Sequence, residues 1–219
     1  MSSTSSVFRF RFFMLLLCLA GFAGIALWVQ GKLPKFDITL LTTLRSPTSS
    51  ADPIGPQWLE EGMRDITALG SNWVLLLAAL CSSILLWLNQ HRKLALALVV
   101  GIGAGLAVTF ALKHGFARPR PTLVVHETQV FTSSFPSAHA MMSVITLFSL
   151  ALIFSASPQG LARRRYIMLV ASMITFCIGF SRVYLGVHWP TDVIAGWLAG
   201  VVWVILWWSV VSRLIPDRA

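Results

Sequence analysis

LALALVVGIGAGLAVTFAL, residues Leu94–Leu112, decides the fold class. The run holds no charged side chain and is bounded by Arg92 and Lys93 on one side and by Lys113 on the other. A helix rises about 1.5 Å per residue, so a run of about 20 residues crosses a hydrocarbon core of about 30 Å. Five comparable runs lie around it: Phe12–Val29, Leu69–Leu88, His139–Ser157, Tyr166–Phe180 and Val193–Val211. The whole chain of 219 residues is 56% hydrophobic and 11% charged. Soluble domains carry about 25% charged residues, so disorder and an ordinary soluble fold are both excluded. The expected architecture is all-α, a polytopic six-transmembrane-helix bundle. Its divisions are a polar N-terminus (1–11), the first span with a long outer loop (12–68), a core (69–212) and a tail (213–219).

Several features take plain structural readings. Arg9 and Arg11 before the first run could mark a signal peptide. The run is long for one and ends in no convincing small-residue cleavage site, which predicts an uncleaved anchor. Gly101, Gly103 and Gly105 resemble part of a dinucleotide loop, but no strand precedes them, and close helix packing is expected. Trp28, Trp87, Trp207 and Trp208 near span ends read as interfacial anchors. Cys18, Cys81 and Cys177 lie in apolar runs and read as small buried side chains. Trp58, Met63, Ile66 and Leu69 could share one face of an interfacial helix.

The net charge of +9 matters through its distribution. With the N-terminus in the cytoplasm, the inside segments hold Arg9, Arg11, Arg92, Lys93, Arg163, Arg164, Arg165, Arg213 and Arg218 against the single acid Asp217. The outside segments balance eight basic residues with seven acidic ones. Basic residues in short turns favour the cytoplasm, so both termini are expected inside. The spans are almost free of ionisable groups, which weakens a proton-coupled transporter reading.

The polar residues gather at the outer ends of the last four spans. Lys113 ends the third span, and Arg118 and Arg120 follow, each before a proline. Pro136-Ser137-Ala138-His139 opens the fourth, Ser181-Arg182 closes the fifth, and His188 and Asp192 flank the start of the sixth. Lys113, Arg120 and Arg182 supply cationic donors suited to phosphate oxygens. The first turn after Pro136, with the Ser137 hydroxyl, offers an anion site. Asp192 could accept an N–H from His188, fixing its tautomer and leaving the other nitrogen as a nucleophile. His139 is free to donate a proton to a leaving oxygen. Singly, each cation could snorkel to headgroups. A metal site from His139, His188 and Asp192 is opposed by the cations around it. Together the residues form a phosphoryl-transfer site.

These segments resemble the three signatures of the type 2 phosphatidic acid phosphatase and vanadium haloperoxidase superfamily. Lys113 through Arg120-Pro121 is similar to Lys-x6-Arg-Pro, Pro136-Ser137-Ala138-His139 to Pro-Ser-Gly-His, and Ser181-Arg182, His188 and Asp192 to Ser-Arg-x5-His-x3-Asp. The resemblance covers about residues 70–212 and departs at Ala138, where glycine is usual. It implies that His188 forms a phosphohistidine, that Asp192 orients it, and that His139 is the general acid. Lys113, Arg120, Arg182, Ser137 and the Ala138 N–H would bind phosphate, and Arg118 would be an accessory cation. It further implies a lipid phosphate phosphatase acting on a substrate such as undecaprenyl diphosphate or phosphatidate. No cofactor, no metal, no nucleic acid and no obligatory protein partner are implied beyond substrate and membrane lipids. The expected location is a bacterial inner membrane with the site facing outward. A lipid-to-lipid phosphotransferase, a vanadate-dependent haloperoxidase and a non-enzymatic transporter or scaffold are the competing readings.

Overall fold

A computed structural model describes residues 2–47, 49, 52–122, 132–155 and 160–214, the side chains from residue 6 onward. The expected end of the fourth span at Ser157 and the tail residues Asp217 and Arg218 lie outside the described residues. The chain forms α1 (Ser2–Val29), α2 (Lys35–Thr43), α3 (Gln57–Leu69), α4 (Asn72–Leu88), α5 (Arg92–Gly115), α6 (Ala138–Ser143), α7 (Ser149–Ser155), α8 (Leu161–Tyr184) and α9 (Pro190–Val211). A π-helical turn, Val144–Phe148, joins α6 to α7 in one rod, Ala138–Ser155. Among the described residues the β pairing is a single bridge between Arg45 and Pro53.

Among the described residues, five helices are long and apolar enough to cross a membrane, and α3 with α4 forms a sixth candidate bent by 49°. The second span therefore starts later than expected. Leu69 ends α3, Gly70 and Ser71 make the elbow, and the Ser71 hydroxyl caps α4 by accepting the Val74 N–H at 3.3 Å. On α3, Met63 and Ile66 are half-buried and the helix lies against α8, but Trp58 and Leu69 are exposed. The expected stripe of four thus divides between two faces. Cys18 is buried as expected, whereas Cys81 is exposed and Cys177 half-buried, on the outside of the bundle.

Helices in lipid gain little from hiding apolar surface, because the tails are equally apolar. Close approach and hydrogen bonds decide their packing. Gly101 and Gly105 show it: a Cβ at Gly101 would lie 2.0 Å from Trp207 Nε1, and one at Gly105 3.0 Å from Trp203 Nε1, while Gly103 faces open space. Trp203 Nε1 donates to the Gly101 carbonyl and Trp207 Nε1 to the Ala97 carbonyl, both at 3.0 Å. Trp207 is therefore a link between α9 and α5, not the interfacial anchor expected, while Trp28 and Trp87 stay exposed at helix ends. Nearer the start of α9, on the same stripe, a Cβ at Gly196 would meet the Ser137 carbonyl at 2.7 Å, and one at Gly200 the Met141 carbonyl at 2.9 Å. These two glycines let α6 press its first turn onto α9.

The long segment before α4 is more than a loop. Leu41 of α2 is fully buried among Ala140, Val183, Trp189 and Val193, which seats α2 against the end of the bundle where α6 and α9 begin and α8 ends.

Candidate active site

Three chain segments meet at that end of the bundle. The 116–120 stretch leaves α5, the 132–137 stretch enters α6, and the 185–189 turn joins α8 to α9. Phe135 locks the second stretch in place. It is fully buried, its ring centroid lies 4.9 Å from Phe116 and 5.7 Å from Phe22, and its peptide bond to Pro136 is cis. Backbone bonds tie the segments together: Ser134 N–H to the Arg118 carbonyl at 2.9 Å, and Ser137 N–H to the Asp192 carbonyl at 3.0 Å. Pro190 starts α9, leaving His188 in the turn before it, as the sequence predicts.

His188 is 2% exposed. Its Nε2 lies 3.2 Å from Arg120 Nη1, and its Nδ1 lies 3.5 Å from Asp192 Oδ2 and 3.4 Å from the Ser134 hydroxyl. The expected His188–Asp192 contact is thus long, and Ser134 stands at its side, donating to Asp192 Oδ2 at 2.5 Å. The same oxygen accepts the Trp189 N–H at 3.0 Å. Burial holds the His188 ring well below the ordinary imidazole pKa, and the charges of Arg182, Arg120 and Lys113 push the same way. At neutral pH the ring is therefore neutral, with a lone pair to offer.

The cations surround it. Lys113 is 5% exposed and its ammonium donates to the Ser133 carbonyl at 2.7 Å. Arg120 donates to the carbonyls of Thr132 at 3.0 Å and Val187 at 2.8 Å. Burial lowers its pKa, while the Asp192 charge opposes the shift. Arg182 donates through Nη1 to Thr67 Oγ1 at 2.8 Å, and its buried Nε has no partner among the described residues. Arg45 caps the end of the same helix, donating to the carbonyls of Val183 at 3.3 Å and Tyr184 at 2.5 Å. Ser137 is fully buried and caps α6, with Ala138 in the first turn behind it. His139 is half-buried beside the α3–α4 elbow, where a Cβ on Gly70 would stand 3.2 Å from its ring. A cavity of about 660 Å³ opens beside Arg120, lined also by Lys32, Phe116, Pro119 and Trp189.

Arg118 is placed differently from the accessory cation expected. Its Nη1 donates to Asp192 Oδ1 at 2.5 Å and Thr191 Oγ1 at 2.8 Å, and its Nη2 to Asp37 Oδ2 at 2.7 Å. Both terminal nitrogens are held by carboxylates and its side chain is 6% exposed. Ser134, Asp37, Thr191 and Thr67 were not singled out from the sequence. Ser134 lies two residues before Pro136 and Thr191 directly before Asp192, whereas Asp37 and Thr67 stand apart from every motif. Among the described residues no three His, Cys, Asp or Glu side chains gather as a metal-binding group.

Residues 94–216 match the family model described as PAP2 superfamily, over more than half of the chain. The chain belongs to the PAP2 superfamily. This PAP2 protein is 30% identical over 148 residues to phosphatidylglycerophosphatase B of Bacillus subtilis, covering 66% of this chain and 71% of that one. It is also 30% identical over 124 residues to an undecaprenyl-diphosphatase of Sulfolobus acidocaldarius, covering 54% and 56%. Among solved structures, the transmembrane PAP2 type phosphatidylglycerolphosphate phosphatase of Bacillus subtilis superposes with a TM-score of 0.70 at 23% identity, over 100% of both chains. Aquifex aeolicus LpxE follows at a TM-score of 0.56 and 24% identity, over 78% of this chain and 91% of that one. These two likenesses carry the transmembrane helical fold.

Proposed function

We propose that this chain hydrolyses the phosphate or diphosphate group of a membrane lipid through a phosphohistidine on His188. Family and relatives make it a membrane lipid phosphatase. The observation that carries the mechanism is the two-sided setting of the His188 ring: Nε2 faces Arg120 among the cations, and Nδ1 faces Asp192 and Ser134. With the proton on Nδ1, the Nε2 lone pair attacks phosphorus as the bond to the leaving oxygen breaks. His139 gives that oxygen its proton, and Asp192 stabilises the positive charge growing on the ring. Lys113, Arg120, Arg182 with its unpartnered Nε, Ser137 and the Ala138 N–H hold the phosphate oxygens. Water then attacks phosphorus, the P–N bond breaks, and His139 takes a proton from that water.

The site lies at helix ends, so a headgroup can reach it while the tail stays in the bilayer. Each buried methylene contributes about 0.8 kcal/mol to holding the lipid there. The candidate substrates are undecaprenyl diphosphate first, then phosphatidate and phosphatidylglycerol phosphate. The short basic turns support both termini in the cytoplasm and the site on the outer face of a bacterial inner membrane.

The test is phosphate release by purified protein from undecaprenyl diphosphate, phosphatidate and a soluble phosphate ester in one detergent. The lipids should be preferred, and His188→Ala should lose at least about 10³-fold in rate, by analogy with a covalent nucleophile. Equal turnover of the soluble ester would defeat the lipid reading, and near-normal turnover by His188→Ala would remove its nucleophile.

A further inference from the structure

Asp37 lies on α2, far from every motif in sequence, yet it is fully buried against the start of α9. Its Oδ1 accepts the Thr191 N–H at 2.9 Å, and its Oδ2 accepts the Thr191 hydroxyl at 2.6 Å and Arg118 Nη2 at 2.7 Å. The other terminal nitrogen of Arg118 binds Asp192 Oδ1. One guanidinium thus joins two buried carboxylates, with the indole of Trp189 5.8 Å from its centre.

We propose that Asp37 and Arg118 are positioning residues that aim Asp192 at His188, an inference that rests on the role of His188 given above. A buried guanidinium facing Asp192 alone would pair with it as a fork and draw both carboxylate oxygens to itself. Asp37 takes the second prong. Asp192 then meets Arg118 through Oδ1 only, and Oδ2 stays with Ser134, the Trp189 N–H and the His188 ring. Asp37 also leaves the three-residue cluster with one net negative charge, which stabilises the positive charge that His188 gains on attacking phosphorus. Its grip on Thr191 sets the first turn of α9, from which Asp192 projects. The duplicated Arg-Pro pair therefore divides its work: Arg120 faces the phosphate and Arg118 faces the carboxylates behind the nucleophile.

Asp37→Asn keeps an oxygen for Thr191 and leaves Arg118 paired with Asp192, so no lone charge is buried. The test measures kcat and KM for dioctanoyl phosphatidate and farnesyl diphosphate in detergent, with melting temperatures, for Asp37→Asn, Asp192→Asn and the double variant. Partners of this kind typically contribute about ten- to hundredfold. Asp37→Asn should lower kcat by about that factor with KM within about twofold, and should change kcat less than about twofold in the Asp192→Asn background. Arg118→Lys, whose single ammonium cannot fork between two carboxylates, should show the same loss and the same dependence on Asp192. It decides the question if Asp37→Asn does not yield folded protein. Unchanged kcat, or an equal loss in both backgrounds, overturns the proposal. His188→Ala separates the two levels: if it stays active, the nucleophile assignment fails. If it is dead while Asp37→Asn and Arg118→Lys turn over normally, only the positioning role fails.

Discussion

Ser134→Ala removes one hydroxyl from a site the motifs do not mark. That hydroxyl donates to Asp192 Oδ2 at 2.5 Å and sits 3.4 Å from His188 Nδ1. A hydrogen bond to a charged acceptor is worth about 1.5–3 kcal/mol. If the bond acts fully on the transition state, kcat falls roughly ten- to hundredfold, at about 1.4 kcal/mol per decade. The backbone is spared, since the Ser134 N–H to Arg118 carbonyl bond survives in alanine. Asp192 keeps the Trp189 N–H and Arg118, so no buried charge is stranded. The loss should therefore be in kcat and not in folding. The assay is steady-state phosphate release from dioctanoyl phosphatidate, with a melting curve in the same detergent. A kcat within about twofold of the parent, at equal melting temperature, would refute the idea that Ser134 helps Asp192 hold the ring.

Three other outcomes are expected. The His188 ring, assigned by comparing histidine NMR spectra with those of His188→Ala, should stay neutral well below the ordinary value of about 6.5. Burial and three cations depress its pKa, so the lone pair is lost only as pH falls through that lower value; titration near 6.5 in the free protein contradicts the buried, cation-ringed setting. Activity should survive a strong chelator and be inhibited by vanadate, which mimics five-coordinate phosphorus among Lys113, Arg120 and Arg182; loss restored by a divalent metal would favour metal chemistry. In a cysteine-free background, a cysteine at Thr122 should react with an impermeant thiol reagent on intact cells and one at Arg164 should not; the reverse pattern inverts the orientation.

The apolar runs and the three spaced motifs were legible because both are local signals: a span is a contiguous run, and each motif falls within a dozen consecutive residues. What escaped was the tertiary support. Asp37 meets Thr191 across a separation of 154 residues, and no pattern near Asp37 announces a partner. Thr67 meets Arg182 across 115 residues, through a helix whose elbow at Gly70 and Ser71 reads in sequence as the start of one span. Arg118 and Arg120 are both Arg-Pro, so spacing chose the phosphate ligand but could not say what the other faces. Trp207 looked like an anchor because it lies near a span end. Its indole N–H, 3.0 Å from the Ala97 carbonyl, is visible only once α9 lies on α5.

Those two indole bonds have a consequence for the whole molecule. Trp203 and Trp207 grip carbonyls one turn apart on α5, at Gly101 and Ala97, in the middle of the helix and one turn nearer its start. Lys113 stands twelve residues above Gly101 on the same helix, about 18 Å at 1.5 Å per residue. The bonds work like two teeth of a rack and oppose a slide of α5 along α9. A slip of one tooth is one helical turn, about 5.4 Å. It would carry the Lys113 ammonium out of register with His188, so the calibration of the site is kept at a distance from it, midway along α5.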